Sequence, residues 1–273
     1  MRILSLSHIL LVFLFSHVYL PGSSTFAHPP TGIAVDAHGN VFFVDILSNS
    51  VFKVSPAGEI SVVVKLVGFP HSLALDARGN LFVGEYDSNR VVKLTPEGKV
   101  GIFASLERPC ALAVDVIGNV YVSQDRNNVI TKITPDGITN RLSEINSPRG
   151  ITVDTLGNIF VAADRDKVFK ISRTGQVTIL AEGLGMPWGV ALDKGGNVCV
   201  AEYSRNRVSK ILLQEKRKSI QTLATLDAPS GVALGNNGDV YVLDGWEKPL
   251  NLPKIYIHRI NASGVVTTLM DDR

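Results

Sequence analysis

The chain has 273 residues, of which 45% are hydrophobic and 19% are charged, a composition typical of an ordinary globular protein. The apolar content excludes a disordered chain, and the sequence lacks the repeats of collagen-like and coiled-coil proteins. Lys and Arg total 27 against 25 Asp and Glu, which gives a net charge of +2. A surface that binds phosphates usually needs a clear excess of basic residues. We therefore expect no nucleic-acid partner.

Residues 1–27 have the pattern of a secretory signal peptide. Arg2 gives a positive start, residues 3–20 are mostly apolar, and Thr25 and Ala27 are small residues at the −3 and −1 positions of a cleavage site. An uncleaved membrane anchor is the alternative, because a run of roughly 18 residues is at the lower limit for a membrane span. Serine and histidine residues dilute the run, which favours cleavage. We expect a secreted or lumenal mature chain that begins at His28, with a net charge of +1 and no later membrane span.

An internal repeat occupies the rest of the chain. Residues 30–36, PTGIAVD, recur in five further copies, and the successive spacings are 40, 39, 39, 39 and 42 residues. The copies begin at Pro30, Pro70, Pro109, Pro148, Pro187 and Pro229. Self-similarity at such a period is typical of a repeat architecture. The six copies predict one repetitive domain over residues 28–273.

Each copy has the pattern of four short strands. In copy one, residues 32–35 form an apolar strand that ends at an Asp-x-x-Gly-Asn turn, and residues 41–44 form the second strand. Residues 51–54 are the third strand, and residues 100–104 show the fourth strand in copy two. The second strands are apolar on both faces, so they must be covered on both sides. This pattern predicts an all-β fold, a six-bladed β-propeller of four-stranded antiparallel blades; an open stack of hairpins would leave two apolar ends exposed.

One segment of the fifth copy contains conflicting signals. Residues 206–228 contain good helix formers, but alignment with the other copies predicts strands at residues 208–212 and 220–224. Lys216-Arg217-Lys218 in the turn between them is most simply a solvated tip.

The sixth copy has its own first strand, at residues 231–234, and its own fourth strand, at residues 265–269. We therefore predict that blades one and six meet face to face without strand exchange.

The repeat resembles the NHL repeat. The shared pattern is Pro-x-Gly-(Ile/Val)-Ala-(Val/Leu)-Asp, followed by Gly-Asn and a β-strand and then by Asn before the third strand, and copies two and five carry it best. The resemblance covers about residues 30–270 and implies a six-bladed propeller. NHL propellers include protein- and RNA-binding modules, sensor domains and a peptide-amidating lyase, and streptogramin-lyase-like and gluconolactonase-like propellers are similar. The resemblance therefore implies the fold and leaves the activity open.

Two rings of residues are candidates for a ligand site at one end of the channel. The first strands are expected to line the channel, and the start of each first strand meets the end of the second strand. The inner ring, just after each repeated proline, consists of Thr31, His71, Cys110, Arg149, Trp188 and Ser230. The partner ring, at the end of each second strand, consists of Asp45, Glu85, Gln124, Ala163, Glu202 and Asp244. These positions vary between copies while the turns repeat, which is typical of a site; unselected solvent-facing positions are the alternative.

Several of these side chains have a possible chemical role. Arg149 could bind a carboxylate or phosphate in a bidentate manner or pair with a neighbouring acid, and Trp188 could stack on a ligand or plug the channel. His71 with Glu85 or Glu202 is the candidate general base, although Glu85 and Glu202 fit a structural role in the blade corner better. We expect His71, Arg149 and Trp188 to lie outside the packed hairpins and to contribute little to stability.

The two rings contain few residues that could hold a metal ion together. The amidating-lyase resemblance would need three histidines around zinc, and the rings offer only His71, so we expect no cofactor. A divalent cation held by Asp45, Glu85, Glu202 and Asp244 is possible, but these residues are scattered around the ring.

The cysteines and the sequon complete the candidate sites. Cys110 and Cys199 fall in separate blades and are expected to be free thiols, with Cys110 conceivable as a nucleophile beside His71. Asn261-Ala262-Ser263 is a glycosylation sequon in the last predicted turn.

The sequence thus favours a secreted, monomeric NHL-type propeller that binds a peptide, protein or small molecule on its polar channel face. A lyase or lactone hydrolase acting at the same face is the alternative. An extracellular structural scaffold without a site is a second alternative. Whether the protein is an enzyme is left open by the sequence.

Overall fold

The computed structural model describes residues 29–213, 219–245 and 254–271. Within these ranges the chain forms six antiparallel sheets of four strands each, and one short 3-10 helix, Tyr203–Arg205. In every sheet the strands follow chain order, so each sheet is one blade built from consecutive hairpins. The all-β six-bladed propeller predicted from the repeat is confirmed. The described part of the chain contains no helix of the length and apolarity needed to span a membrane.

The strands of each blade are numbered in chain order. Blade one consists of β1 (Ile33–Val35), β2 (Val41–Asp45), β3 (Ser50–Val54) and β4 (Ile60–Lys65). Blade two consists of β5 (Pro70–Leu75), β6 (Leu81–Glu85), β7 (Arg90–Leu94) and β8 (Val100–Ser105). Blade three consists of β9 (Ala111–Val114), β10 (Val120–Gln124), β11 (Val129–Ile133) and β12 (Thr139–Glu144). Blade four consists of β13 (Ile151–Val153), β14 (Ile159–Ala163), β15 (Lys167–Ile171) and β16 (Val177–Ala181). Blade five consists of β17 (Pro187–Leu192), β18 (Val198–Glu202), β19 (Arg207–Leu212) and β20 (Ser219–Thr225). Blade six consists of β21 (Gly231–Leu234), β22 (Val240–Asp244), β23 (Tyr256–Ile260) and β24 (Val266–Asp271).

The Asp-x-x-Gly-Asn turn closes the inner hairpin of five blades in the same way. In blade one, the Asp36 carboxylate accepts hydrogen bonds from the backbone amides of His38 and Asn40 and from the Asn40 side chain. Gly39 has φ +82°, a left-handed conformation that glycine adopts without a steric cost. The turn residues of the repeat are therefore explained by local backbone geometry, which is why they recur so faithfully.

The hydrophobic core is divided among the contacts between neighbouring blades. Six clusters of buried side chains are present, one at each of the six contacts. The cluster between blades six and one includes Ile33, Phe43, Leu243 and Ile257. Among the described residues, β1 pairs with β2 and β24 pairs with β23, so each blade keeps its own strands. The prediction of closure without strand exchange is confirmed.

The stretch rich in helix formers is a β-hairpin. Its two strands are β19 and β20, as the repeat alignment predicts, because tertiary pairing overrides local helix propensity. The Lys216-Arg217-Lys218 tip lies outside the described residues.

Glycines at the start of the first strands allow neighbouring blades to approach closely. A Cβ atom on Gly150 would lie 2.2 Å from the Trp188 carbonyl oxygen, and one on Gly189 would lie 2.8 Å from the Ser230 carbonyl oxygen. The Gly150 amide donates to the Trp188 carbonyl at 2.7 Å, which ties blade four to blade five. Because real Cβ atoms do not approach backbone this closely, the glycine of the Pro-x-Gly motif in these two blades is required by the close contact with the next blade.

We predict that Gly150→Ala destabilises the protein. The added methyl group would collide with the backbone of the next blade, and such overpacking costs about 1–3 kcal/mol in the free energy of unfolding. Chemical denaturation of the variant measures this change. Gly101→Ala is the matched control, because nothing lies within 4 Å of its Cβ position. Equal stability of the two variants would contradict the close approach of the blades.

Candidate functional site

The first strands surround a central channel, as expected from the sequence. The channel has a volume of about 190 Å³ and is lined mostly by aliphatic side chains such as Leu73, Leu112 and Val190. Its polar lining side chains are the hydroxyl groups of Thr31, Ser72 and Thr152. No titratable group lies among these lining residues, so the channel wall itself offers no acid or base. Ionisable side chains lie instead at the end of the channel where the first strands begin, which we call the mouth.

The inner ring at the mouth is mostly buried, which does not fit the alternative of unselected solvent-facing positions. His71 is 1% exposed and Trp188 is 3% exposed, and Cys110 and Ser230 are also buried. Thr31 and Arg149 are partly buried. In blades two and five the first strand begins at the repeated proline. The ring residue that follows, His71 in blade two and Trp188 in blade five, lies in a bulge, where the pairing register with the second strand shifts. Such a bulge re-aims the side chain of the extra residue. The expectation that His71 and Trp188 lie outside the packed hairpins is therefore wrong, and their burial predicts that each contributes to stability.

The partner ring uses its polar atoms within its own blades. In four blades the residue that ends the second strand bonds the backbone 17 residues earlier, in the segment that enters the first strand. Glu85 accepts from the Gly68 amide, Gln124 donates to the Glu107 carbonyl, Glu202 accepts from the Gly185 amide and Asp244 accepts from the Asp227 amide. Asp45 accepts from the amide of Leu47 and the hydroxyl of Ser48, and Ala163 is a buried apolar residue. The ring thus anchors the segment that links consecutive blades.

Glu202 is the centre of a buried charge network. Its carboxylate is fully buried and accepts hydrogen bonds from Arg207 Nε at 2.7 Å, from the Gly185 amide at 2.7 Å and from the Ser209 hydroxyl. Burial is the largest influence and raises the pKa of Glu202, but the bonds from Arg207, Ser209 and Gly185 outweigh it and leave the pKa below its ordinary value. Glu85 is likewise fully buried and pairs with Arg90. These contacts agree with the structural role in the blade corner that the sequence favours for Glu85 and Glu202.

We predict that Glu202→Gln lowers stability in a pH-dependent way. Because the folded-state pKa is lowered, ionised Glu202 stabilises the fold above the unfolded pKa, and this contribution is lost as the pH falls through the folded pKa. Replacing the carboxylate removes the ion pair with Arg207 and should cost about 1–3 kcal/mol at neutral pH. The difference from wild type should shrink below about pH 4. Thermal unfolding across pH measures both effects.

The exposed Glu182→Gln variant is the control for that measurement. It removes one carboxylate without touching the buried network, so its stability should follow the wild type at every pH. A Glu202→Gln variant with the wild-type pH dependence would show that the network does not stabilise the fold.

Polar and aromatic side chains from blades two to five meet at the mouth, and we call them the mouth cluster. Its members are His71, Tyr86, Arg108, Cys110, Asp125, Arg149, Trp188 and Tyr203. Tyr86, Arg108, Asp125 and Tyr203 were not selected from the sequence. The available signal was their position, because Tyr86, Asp125 and Tyr203 each directly follow a partner-ring residue.

The part of the cluster in blades two and three is held by hydrogen bonds between the blades. His71 Nδ1 lies 2.7 Å from the Cys110 carbonyl oxygen, and since a carbonyl only accepts, Nδ1 carries the hydrogen. The Tyr86 hydroxyl donates to the Asp125 carboxylate at 3.0 Å, and the Arg108 guanidinium lies 5.3 Å from the centre of the Tyr86 ring. Burial, followed by the charge of Asp125, raises the pKa of Tyr86. Tyr86 is therefore a neutral donor that joins two blades.

The part of the cluster in blades four and five is a cation held over an aromatic ring. The Arg149 guanidinium lies 4.0 Å from the centre of the Trp188 ring, which in turn meets the Tyr203 ring edge-on at 6.1 Å between centroids. Burial lowers the pKa of Arg149, and the nearby Cys110 and Asp125 oppose this effect. An arginine remains charged in proteins even so. Its Nη1 atom is buried and has no hydrogen-bond partner among the described residues.

The two cysteines are free thiols, as predicted, and both are buried. Burial raises the pKa of Cys110 well above its ordinary value, and burial raises the pKa of Cys199 to about 12. Both groups are therefore protonated thiols at neutral pH. This state does not favour the nucleophile suggested for Cys110, because the thiolate is the reactive form.

The carboxylates considered for a cation do not form a common site. Asp45, Glu85, Glu202 and Asp244 belong to four different blades, and each is engaged in the contacts described above. Asp244 also lies 3.2 Å from His258 Nε2. Within the described ranges, no group of three or more His, Cys, Asp or Glu residues is arranged to hold a metal ion.

The glycosylation sequon lies in the turn between β23 and β24. The Asn261 Oδ1 atom accepts hydrogen bonds from the Ser263 amide and hydroxyl and from the Val265 amide. Ala262 and Ser263 are exposed. The turn is therefore accessible, and glycosylation of Asn261 stays a prediction.

Comparisons with known proteins define the fold class first. The chain is similar to virginiamycin B lyase from Staphylococcus aureus, with 17% identity, a TM-score of 0.67 and coverage of 88% of this chain and 83% of that one. A chain of a nidogen/laminin complex has 17% identity, a TM-score of 0.72 and coverage of 86% and 92%. A gluconolactonase from Xanthomonas campestris has 16% identity, a TM-score of 0.67 and coverage of 78% and 82%. At these identities the similarity shows the six-bladed propeller fold.

The repeat type follows from the sequence match. The NHL repeat matches residues 184–211, which cover the start of blade five through most of β19. No curated protein is detectably similar to the chain in sequence. Together with the six blades, the match confirms the resemblance drawn from the repeat. The chain is a six-bladed β-propeller that contains an NHL repeat in blade five.

Proposed function

We propose that this propeller is a ligand-binding protein whose ligand, a peptide, protein or small molecule, presents a carboxylate to Arg149 at the mouth cluster. The observation that carries the proposal is the placement of the guanidinium, 4.0 Å from the Trp188 ring with Nη1 buried and without a hydrogen-bond partner among the described residues. A buried donor left unbonded costs about 1–3 kcal/mol. A carboxylate at this position would satisfy the donor and pair with the charge.

The surroundings of Arg149 suit a ligand that is partly aromatic or apolar. Trp188 covers one face of the guanidinium, and Tyr203 extends the aromatic surface. Aromatic side chains with polar edges are common anchors in binding sites. The Asp125 carboxylate already accepts a hydrogen bond from the Tyr86 hydroxyl of the neighbouring blade, so it does not interact with Arg149 alone.

The geometry supports binding better than the alternatives considered from the sequence. A lyase or lactone hydrolase would need a base that reaches its substrate, but the His71 ring is almost fully buried and its Nδ1 is bonded to the Cys110 carbonyl. A scaffold without a site gives no reason for the unbonded Arg149 donor. The similar solved structures include two enzymes and a protein in complex with laminin, so the fold is compatible with either class.

We predict that aromatic carboxylates bind the wild-type protein and that Arg149→Gln abolishes this binding. The probes are phenylacetate and its amide, which differ in charge at the group that would meet Arg149. Since a ligand stabilises the state that it binds, thermal shift and calorimetry should detect the acid and not the amide. Arg78→Gln is the control, because Arg78 is an exposed arginine in the Asp-x-x-Gly-Asn turn of blade two, at the end of the blade away from the mouth. Equal responses to acid and amide, or an unchanged response in Arg149→Gln, would contradict the proposal.

We further propose that the protein is secreted. The support is the signal-peptide pattern of residues 1–27, which lie outside the described residues. Expression of the full chain in a secretory host, followed by N-terminal sequencing of the protein in the medium, should give a chain that begins at His28. A cell-associated chain that retains Met1 would instead indicate the uncleaved anchor.

A further inference from the structure

The rim opposite the mouth exposes aliphatic side chains in two neighbouring blades. This rim consists of the turns that join first to second strands and third to fourth strands. In blade three, Val116 and Ile117 at the first turn are 72% and 71% exposed, and Leu156 at the first turn of blade four is 71% exposed. Ile138, at the second turn of blade three, is also exposed. We call these four residues the lower-rim patch.

The turns that carry the patch are in contact with one another. A Cβ atom on Gly118, beside Ile117, would lie 3.6 Å from Pro135 in the second turn of blade three. One on Gly157, beside Leu156, would lie 3.6 Å from Arg173 in the second turn of blade four. Blades three and four share a hydrophobic core, so the two pairs of turns are neighbours on the rim. The aliphatic side chains therefore belong to one surface.

The hairpin fold does not require apolar residues at these positions. The equivalent pairs in the other blades are Ala37-His38, Ala77-Arg78, Lys194-Gly195 and Asn236-Asn237. Polar or small residues thus close the same turn, whose geometry comes from Asp, Gly and Asn. A large aliphatic side chain left in water forgoes the stabilisation that its burial would provide. The turn itself therefore does not account for the patch.

Charges of opposite sign stand at the two ends of the patch. Asp136 is exposed in the second turn of blade three and accepts a bond from the Thr134 hydroxyl. Arg173 is exposed in the second turn of blade four, and no described residue forms an ion pair with it. A surface with an acid at one end and a base at the other is complementary to itself under a two-fold rotation.

We propose that the lower-rim patch is a dimerisation surface and that its occupant is a second copy of this chain. A two-fold axis through the patch brings Asp136 of each copy to Arg173 of the other, while the aliphatic side chains of both copies pack between these pairs. A bilayer fits less well, because Asp115 and Asp154 at the base of the same turns would repel anionic headgroups together with Asp136. The proposal replaces the monomer expected from the sequence.

The dimer would present two mouths on its outer ends. The patch and the mouth cluster lie on opposite rims of the propeller, so each copy keeps its mouth open when the lower rims meet. Two mouths in one assembly allow bivalent binding to a ligand that carries more than one carboxylate-bearing segment. The dimer itself does not depend on the function proposed for the mouth.

The oligomeric state of the full purified chain tests the proposal. Sedimentation velocity over a wide range of concentrations should show a monomer–dimer equilibrium for the wild type. Ile117→Asp and Leu156→Asp should raise the dissociation constant at least about tenfold, because each puts an unpaired charge into the interface. Val62→Asp is the matched control, since Val62 is a 59% exposed aliphatic residue on β4, away from the patch. Thermal unfolding confirms that each variant is folded.

A charge exchange tests the two-fold arrangement. Asp136→Arg and Arg173→Asp should each weaken the dimer, and the double variant should restore it, because the pair is then reversed rather than lost. A monomeric wild type at every concentration, dimers insensitive to Ile117→Asp and Leu156→Asp, or a double variant weaker than both single variants would overturn the proposal. Cosedimentation with phosphatidylserine vesicles that Ile117→Asp abolishes, without a dimer in solution, would identify a membrane as the occupant instead.

Discussion

Every blade of this propeller is apolar on both faces of its inner strands, so no blade can bury its core without a neighbour on each side. The six interblade clusters satisfy this requirement around the ring, including the contact between the first and last blades. Neighbouring blades approach one another closely where the first strands begin. Glycines such as Gly150 and Gly189 are needed there because any side chain would meet the backbone of the next blade.

The same close approach brings together residues that are distant in sequence. The His71–Cys110 and Tyr86–Asp125 hydrogen bonds both join positions 39 residues apart, which is the length of one repeat. Each bond therefore links equivalent or near-equivalent positions of consecutive blades. The scaffold places one variable side chain per blade around the mouth, and chemistry is set by which residue each copy supplies. Arg149 over Trp188 is the clearest case, since neither residue has a counterpart of its type in the other inner-ring positions.

The two rings at the mouth have different roles although they are adjacent. Glu85, Gln124, Glu202 and Asp244 hold the segment that enters each blade, always at a separation of 17 residues. Buried carboxylates with paired arginines are suited to this task because hydrogen bonds compensate their burial. Variation among Asp, Glu and Gln at these positions therefore reflects several side chains that can bond the same segment, the acids by accepting from its amides and Gln124 by donating to its carbonyl. Variation in the inner ring is a variation in chemical type, from hydroxyl and thiol groups to imidazole, guanidinium and indole groups.

The sequence by itself determined the six blades, the four strands in each, the closure without strand exchange and the two free cysteines, because these follow from a repeat period and from local patterns of turns and apolar residues. It also located both rings, since the repeat aligns them. Only the tertiary structure decided which ring residues are buried, because the bulges at His71 and Trp188 depend on pairing between strands. The contacts of Arg149 with Trp188 and of Tyr86 with Asp125 were likewise decided by the distance between blades. Side chains from different repeats meet only when the ring closes, and no local sequence pattern determines the distance between neighbouring blades.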